Sequence, residues 1–358
     1  MNKKALIAMS GGVDSSVAAF LMKEGGYDCI GATMKLFQND DIGISGDSSC
    51  CSADDVEDAR NIATTLGMPY YVFNFSDRFR EEVMDKFVCA YENGITPNPC
   101  IECNRKLKFE YLHHRAKELG YDYVVTGHYA IIDYNETTGR YELKKAVDPT
   151  KDQTYVLYSM TQEQLSHTLF PLGSMPKTKA RELAEENGFV NARKGDSQDI
   201  CFVPNGKYTD FIENYTKKTY PEGDFVDMDG NVLGRHKGII RYTIGQRKGL
   251  GLSLKEPMYV VKVEPETNTV ILGRDSDLFT TTLTARNINL ISVPDLYTPM
   301  RVKAKVRYKH VEQWATATQL DEDTIQVVFD EPQRAITKGQ AVVLYDEDKV
   351  VGGGTIVG

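Results

Sequence analysis

The chain has 358 residues, 41% of them apolar, and carries 42 Lys and Arg against 51 Asp and Glu, a net charge of −9. That length exceeds one ordinary core and calls for two or three domains, while the acidic balance excludes a generic nucleic-acid coat and leaves room only for a local cationic surface. No stretch approaches the roughly 20 apolar residues of a membrane span, and the start MNKKALIAMSGG lacks the long apolar region and cleavage site of a secretory signal. A cytoplasmic protein with no membrane partner is expected.

Apolar runs at residues 5–9, 29–34, 69–75 and 123–126 alternate with helix-like patterns over 14–24, 54–66 and 77–92. Such alternation predicts an α/β domain with a doubly wound parallel sheet, whose ligands gather at the carboxyl ends of its strands. Between the first strand and the first helix stands Ser10-Gly11-Gly12-Val13-Asp14-Ser15-Ser16. The glycines let backbone N–H groups close on an anion and the serines add hydroxyls at a helix start, so the segment reads as a phosphate loop. It lacks the Lys-Ser/Thr ending of a Walker loop and the third glycine of a dinucleotide fingerprint. Its spacing resembles the SGGxDS loop of the N-type ATP pyrophosphatases. That resemblance implies a grip on the pyrophosphate of ATP while the α-phosphate is transferred as an adenylate, with Asp14 near Mg2+.

Seven cysteines in so long a chain do not make a disulfide framework, so they are free thiols, metal ligands or catalysts. Cys29 in a strand and Cys89 on a helix face read as core. Cys50 and Cys51, in GDSSCCSADD, read as neighbours of a helix start or as exposed thiols that receive sulfur. Pro97 and Pro99 hold an extended loop with Cys100 and Cys103, and Asn104 to Phe109 opens a basic helix, where Arg105, Lys106, Lys108 and the helix dipole are expected to favour the Cys103 thiolate. His113 and His114 on that helix read as surface residues. His128, beside a glycine at a strand end, fits ligand contact and turn packing equally. Cys201 lies in a second loop, GDSQDICFVP, able to meet the first above one sheet edge.

After about residue 203 helix patterns thin out and turn signals punctuate short alternating runs. Domains are expected over 1–203, 204–275 and 276–358, the second small and mixed, the third all β. Residues 235–255 carry six Lys or Arg and no acid, and in RVKAKVRYKH cations fall at every second position from Arg301 to Lys309. The latter predicts one strand with a cationic face, and the pair suggests a track for a polyanion.

From end to end the chain resembles the tRNA-specific 2-thiouridylases. The residues that carry the likeness are the SGGVDSS loop, TPNPCIECNRKLKF at 96–109, TGHYA at 126–130, KDQTYVL at 151–157, DSQDICF at 196–202, YTIGQRKGL at 242–250 and VRY at 306–308. The resemblance implies a nucleotide-binding domain, a small α+β central domain and a C-terminal β-barrel-like domain that together hold the anticodon arm of a tRNA. It assigns Ala8, Met9, Ser10, Gly11, Gly12, Val13, Asp14 and Ser15, with Met34 and Gly127, to ATP. Asn98, Pro99 and Cys100 would face the target base, and His128, Lys151, Asp152, Gln153, Arg307, Tyr308 and Gln340 would contact tRNA.

In the reaction so implied, the C2 oxygen of the wobble uridine of the Lys, Glu and Gln tRNAs is adenylated and displaced by sulfur. Cys201 bears a persulfide and Cys103 is its partner thiol; the sulfur comes from a cysteine desulfurase or a carrier protein. Many members have Asp at the position of Cys100. Cys100, Cys103 and Cys201 therefore also make a possible set of ligands for a [4Fe–4S] cluster. Two other readings are an amide-forming ATP pyrophosphatase acting on small molecules, which leaves the cations of 301–309 unexplained, and a non-catalytic RNA-binding module.

Overall fold

The computed structural model describes residues 3–38, 53–196, 199–203 and 206–358. Cys50 and Cys51 lie outside them. Strands β1 (Lys4–Ala8), β2 (Asp28–Lys35), β3 (Tyr70–Asn74) and β4 (Tyr123–Val125) come first. A hairpin of β5 (Ile131–Asn135) and β6 (Arg140–Lys144) then leaves this sheet, and β7 (Thr168–Leu169) returns to it. The sheet is parallel throughout, in the order β3-β2-β1-β4-β7. The chain thus runs outward from β1 in one direction and then from β4 in the other, which opens a crevice beyond the carboxyl ends of β1 and β4.

Helices cover both faces. Val17, Ala18 and Met22 of the helix Val13–Glu24 pack with Ile62, Ala180 and Ala184 on one side. Leu112 and Ala116 pack on Leu6, Ile30 and Val124 on the other. Residues 76–92 form one helical run, as the apolar spacing predicts. Cys89 on it is exposed rather than core, because the run buries Phe87, Val88 and Tyr91 and turns Cys89 outward.

The helix Tyr208–Thr216 precedes a mixed four-stranded sheet of β8 (Gly223–Val226), β9 (Val232–His236), β10 (Tyr259–Glu264) and β11 (Thr269–Gly273), ordered β10-β11-β8-β9. Last come β12 (Phe279–Leu290), β13 (Met300–Lys305), β14 (Gln313–Gln319), β15 (Thr324–Arg334), β16 (Ala341–Asp346) and β17 (Lys349–Ile356). They run antiparallel in the order β12-β15-β14-β13-β16-β17, and β12 also pairs with β17, closing a six-stranded barrel. Its interior holds Val302, Ala304, Ala315, Phe329, Val342 and Leu344. Lys349 of β17 pairs with Lys144 of β6, which ties the barrel to the hairpin from the first half of the chain.

The cationic strand is shorter than its pattern predicts. It ends at Lys305, and Arg307, Tyr308 and Lys309 lie in a turn closed by the His310 N–H donating to the Arg307 carbonyl at 3.0 Å. Alternation persists past the strand because Val306 still fills the barrel while its neighbours remain wet. Among the described residues no helix is long and apolar enough to cross a membrane.

Candidate active site

The loop after β1 is braced from below. The Met9 N–H donates to the Ala32 carbonyl at 2.9 Å, the Thr33 hydroxyl donates to the Met9 carbonyl at 2.6 Å, and the Tyr70 hydroxyl donates to Thr33 at 2.7 Å. Gly11 then turns with φ +74°, and a Cβ there would lie 2.3 Å from the Asp55 carbonyl oxygen, so only glycine fits. Ser15 Oγ donates to the Gly12 carbonyl at 3.0 Å and accepts from the Ser10 N–H at 3.2 Å; Ser16 Oγ donates to the same Gly12 carbonyl at 3.1 Å. Gly12 is the N-cap of the helix Val13–Glu24 and has no side chain with which to cap it. The first N–H groups of that helix are therefore left to an external anion.

Met9, Val13 and Ser15 are buried, so they offer a nucleotide mainly their backbone. Ala8, Ser10, Gly12 and Asp14 reach the surface at least in part. From the end of β4, Gly127 leans onto this helix start. A Cβ on it would sit 2.7 Å from the Asp14 carbonyl carbon and 2.8 Å from the Ser15 nitrogen. Met34 lies at the carboxyl end of β2, opposite Phe73 of β3.

Asp14 is held on two sides. The Tyr129 hydroxyl donates to its Oδ1 at 2.8 Å, and Lys177 Nζ lies 2.7 Å from both carboxylate oxygens. Burial, with Asp14 adding to it, pushes the Tyr129 phenol far up, so it remains a donor. Lys177 Nζ also lies 3.0 Å from Asp196 Oδ1, and Asp196 takes Lys151 at 2.8 Å and Arg181 at 2.9 Å. Burial alone would raise the Asp196 carboxyl, but its bonds to Lys151 and Lys177 outweigh it and hold the group down at about 2.

The sulfur-bearing elements lie beside this loop. Residues 99–118 form one helical run with Asn98 as N-cap and Pro99 buried at its first position. Cys100 is exposed in the first turn, and Cys103 is half-buried one turn further. From Cys103 to Tyr111 the helix widens to bonds spanning five residues, so that the Leu112 N–H reaches the Leu107 carbonyl. Cys103 and Cys201 both pack against one apolar cluster that includes Leu36, Phe79, Phe87 and Phe202, and Met34 packs against the same cluster.

Burial pushes the Cys103 thiol up to about 11, with Lys108 as the opposing cation. The expectation of a favoured thiolate is therefore corrected. Arg105 is drawn to Glu102 and to the Tyr158 hydroxyl, Lys106 to Glu110, and Cys103 sits beyond the first turn, where the dipole is strongest. Among the described residues, which include Cys100, Cys103 and Cys201, no three His, Cys, Asp or Glu side chains converge into a metal-holding group. The three sulfurs are thus not gathered as ligands of an iron–sulfur cluster in this arrangement.

Three family models cover the chain. One described as tRNA methyl transferase HUP domain matches residues 3–205, one described as tRNA methyl transferase PRC-barrel domain matches 209–274, and one described as Aminomethyltransferase beta-barrel domain matches 280–356. The tRNA-specific 2-thiouridylase MnmA of Clostridioides difficile (strain 630) is 54% identical over 356 residues, which cover 99% of this chain and 98% of that protein. The chain belongs to the tRNA-specific 2-thiouridylase family. Proteins of the same name from Acetivibrio thermocellus and Lachnoclostridium phytofermentans are 52% and 50% identical, each alignment covering 99% of both chains.

In this thiouridylase chain the residues expected to meet tRNA divide into two groups. Three have partners within the protein. His128 is only 7% exposed, bonded through Nδ1 to the Thr126 hydroxyl at 2.7 Å and flanked by Phe109 and Phe170; burial holds its ring well below the ordinary histidine range and hence neutral. Asp152 accepts from the Ala146 N–H at 3.1 Å and the Thr154 hydroxyl at 2.7 Å, and Gln153 Oε1 accepts from the Tyr129 N–H at 2.9 Å. His128 is thus packed into the protein, while Asp152 and Gln153, half-buried like Lys151, bond within the loops after β4.

Arg307 and Tyr308 are exposed, and Lys151 is half-exposed while bonded to Asp196. The Tyr308 hydroxyl donates to the Asp152 carbonyl at 3.2 Å, which brings the barrel to the catalytic face. Gln340 binds the loop before Cys100. Part of the basic surface is already neutralised: Arg301 pairs with Asp330, Arg235 with Asp224 and Arg241 with Glu213. Lys237, Arg247 and Lys248 remain exposed.

Two residues that no motif flags complete the site. Asn191, 3% exposed, donates through Nδ2 to the Gly11 carbonyl and to Ser16 Oγ, each at 2.9 Å. Lys177 supplies the buried ammonium beside Asp14. Both arrive from the second half of the domain, and their neighbours in sequence carry no signal of the loop they serve.

Proposed function

We propose that this chain replaces the C2 oxygen of the wobble uridine in the Lys, Glu and Gln tRNAs with sulfur, consuming one ATP each time. The observation that carries this reading is the adjacency of two devices: an uncapped helix start with Asp14 on it, and an apolar cluster flanked by Cys103 and Cys201, with Met34 packed between sheet edge and cluster. The first suits phosphates. The second suits a sulfur kept from water.

The C2 oxygen attacks the α-phosphorus of ATP and pyrophosphate departs, its charge received by the N–H groups of Gly11 to Ser15. Asp14 would help to hold a magnesium ion, which would supply positive charge to the departing pyrophosphate. The outer sulfur of a Cys201 persulfide then bonds to C2, and AMP leaves with the electron pair of the C–O bond. Cys103, deprotonated, attacks the Cys201 sulfur; the 2-thio group is released and a Cys103–Cys201 disulfide remains for a two-electron reductant. In the variant order Cys103 attacks first and freed sulfide adds to C2, with the same disulfide at the end. The persulfide comes from a cysteine desulfurase or a sulfur carrier.

Exposed Arg307, Tyr308, Lys237, Arg247 and Lys248 supply the cationic and stacking contacts that an anticodon arm needs, and a base in its loop is reached only when unstacked. Such a substrate places the enzyme in the cytoplasm. The test is pyrophosphate release and nucleoside mass with unmodified tRNA. Asp14→Ala is expected to abolish both, and Cys201→Ser to release pyrophosphate without forming thiouridine. Pyrophosphate release that depends on an amino acid and not on RNA would overturn the reading.

A further inference from the structure

Lys177 opens the helix Lys177–Glu186 directly after Pro176, and its side chain is only 9% exposed. Burying an ammonium is costly unless it is paired, and here the pairing is unusual in what it joins. One partner is Asp14, on the ATP loop, both of whose oxygens lie 2.7 Å from Nζ. The other is Asp196, 3.0 Å away, five residues before Cys201. The stem is fixed from its own backbone as well, since the Lys177 N–H donates to Asp148 at 3.1 Å, and Nζ lies 5.8 Å from the centre of the Tyr129 ring.

Lys177, Lys151 and Arg181 give three positive charges, met by Asp14, Asp196 and, at the Lys177 N–H, Asp148. Asp14, on the anion loop, is held in one orientation by Lys177 and Tyr129.

Resting on the function proposed above and deepening it, we propose that Lys177 is the positioning residue that couples the ATP loop to the Cys201 segment. It holds Asp14 aimed for the adenylation step and anchors Asp196, so that one ammonium sets both the phosphate site and the root of the sulfur-bearing loop. It acts through these two carboxylates; Asp14 is the group that meets substrate.

The experiment compares Lys177→Met, which keeps the volume and removes the charge, with Lys177→Arg, in wild-type background, using unmodified tRNA and ATP. Read out are the kcat of pyrophosphate release, the KM for ATP, the thiouridine formed per pyrophosphate, and the melting temperature. Lys177→Met is expected to lower kcat for pyrophosphate release by about a hundredfold, the scale of removing one fixed electrostatic contact at a reacting centre, and to lower thiouridine per pyrophosphate as well. Lys177→Arg is expected to restore at least a tenth of the lost rate. Lys179→Met, an exposed neighbour paired with Glu182, serves as control and is expected to be unchanged.

A folded Lys177→Met protein within threefold of wild type on both rates overturns the proposal, as does a loss of melting temperature with the rates intact. Should Lys177→Met not fold, Asp196→Asn gives the answer: a fall in pyrophosphate release, with Asp196 joined to Asp14 through the Lys177 ammonium, supports the coupling, and a normal rate of that step refutes it. If the wild-type enzyme releases no pyrophosphate with tRNA, it is the proposed function that fails, before any variant is compared.

Discussion

Gln340, on the turn leading into β16, donates its side-chain amide to the Thr96 carbonyl at 2.9 Å and to the Pro97 carbonyl at 3.2 Å. The Thr96 N–H in turn donates to the Lys338 carbonyl at 3.1 Å. The last domain thereby grips the loop that ends at Asn98 and Cys100, some 240 residues earlier in the chain. Gln340→Ala leaves two carbonyls without their donor, worth about 1 kcal/mol for each bond lost. The expected outcome is a five- to tenfold drop in kcat/KM for tRNA thiolation with the KM for ATP unchanged, measured by steady-state kinetics. A change confined to the KM for ATP would contradict this role.

With its thiol pushed up to about 11 by burial, Cys103 is neutral at physiological pH in the free enzyme. At pH 8 only about one such group in a thousand is a thiolate, from the distance between pH and pKa. Alkylation of Cys103 by iodoacetamide, followed by peptide mass, is expected to lag far behind that of exposed Cys89 and to keep rising until pH is near 11. A plateau by pH 8.5 would show that the thiol is already ionised. Faster labelling on adding tRNA would mark the point at which the enzyme activates it.

Asn191 braces the phosphate loop from behind through its two bonds to Gly11 and Ser16. Replacement by Ala leaves the buried Gly11 carbonyl without this donor, while Ser16 keeps its bond to the Gly12 carbonyl, a cost of about 1–3 kcal/mol. Chemical unfolding is expected to show that loss, and the KM for ATP to rise severalfold because Gly11 is no longer fixed. Unaltered ATP affinity would mean that the loop holds its form without this bond.

Asp196 carries the acid limit of the same region. Its folded-state value of about 2 lies below the ordinary carboxylate value of about 3.9. A depressed carboxyl stabilises the fold above the unfolded value, and that contribution is lost as pH falls from about 4 through 2. Melting temperature is expected to fall more steeply over that window in the wild type than in Asp196→Asn, which starts lower and has one carboxylate fewer to protonate. Parallel slopes would show that Asp196 contributes nothing to acid stability.

The sequence by itself determined what is local. Four apolar runs and their intervening helices marked the parallel sheet, because strands buried on both faces, as β1, β2 and β4 largely are, must be apolar along their length, while β3 lies at the exposed edge. Gly11 and Gly12 marked the phosphate loop, and at Gly11, with φ +74°, few residues other than glycine tolerate the backbone. The cysteine count marked free thiols, and the resemblance to the tRNA-specific 2-thiouridylases, carried by motifs such as DSQDICF, implied sulfur transfer. Tertiary structure alone decided what each side chain faces.

It buried His128 between Phe109 and Phe170, gave Asp152 and Gln153 partners within the protein, and desolvated Cys103 while drawing Arg105 and Lys106 to Glu102 and Glu110, so that Cys103 became a protonated thiol instead of a thiolate. It also brought Lys177 and Asn191 to a loop more than 160 residues away. Desolvation and ion pairing depend on neighbours in space, and no spacing along the chain records which neighbours those are.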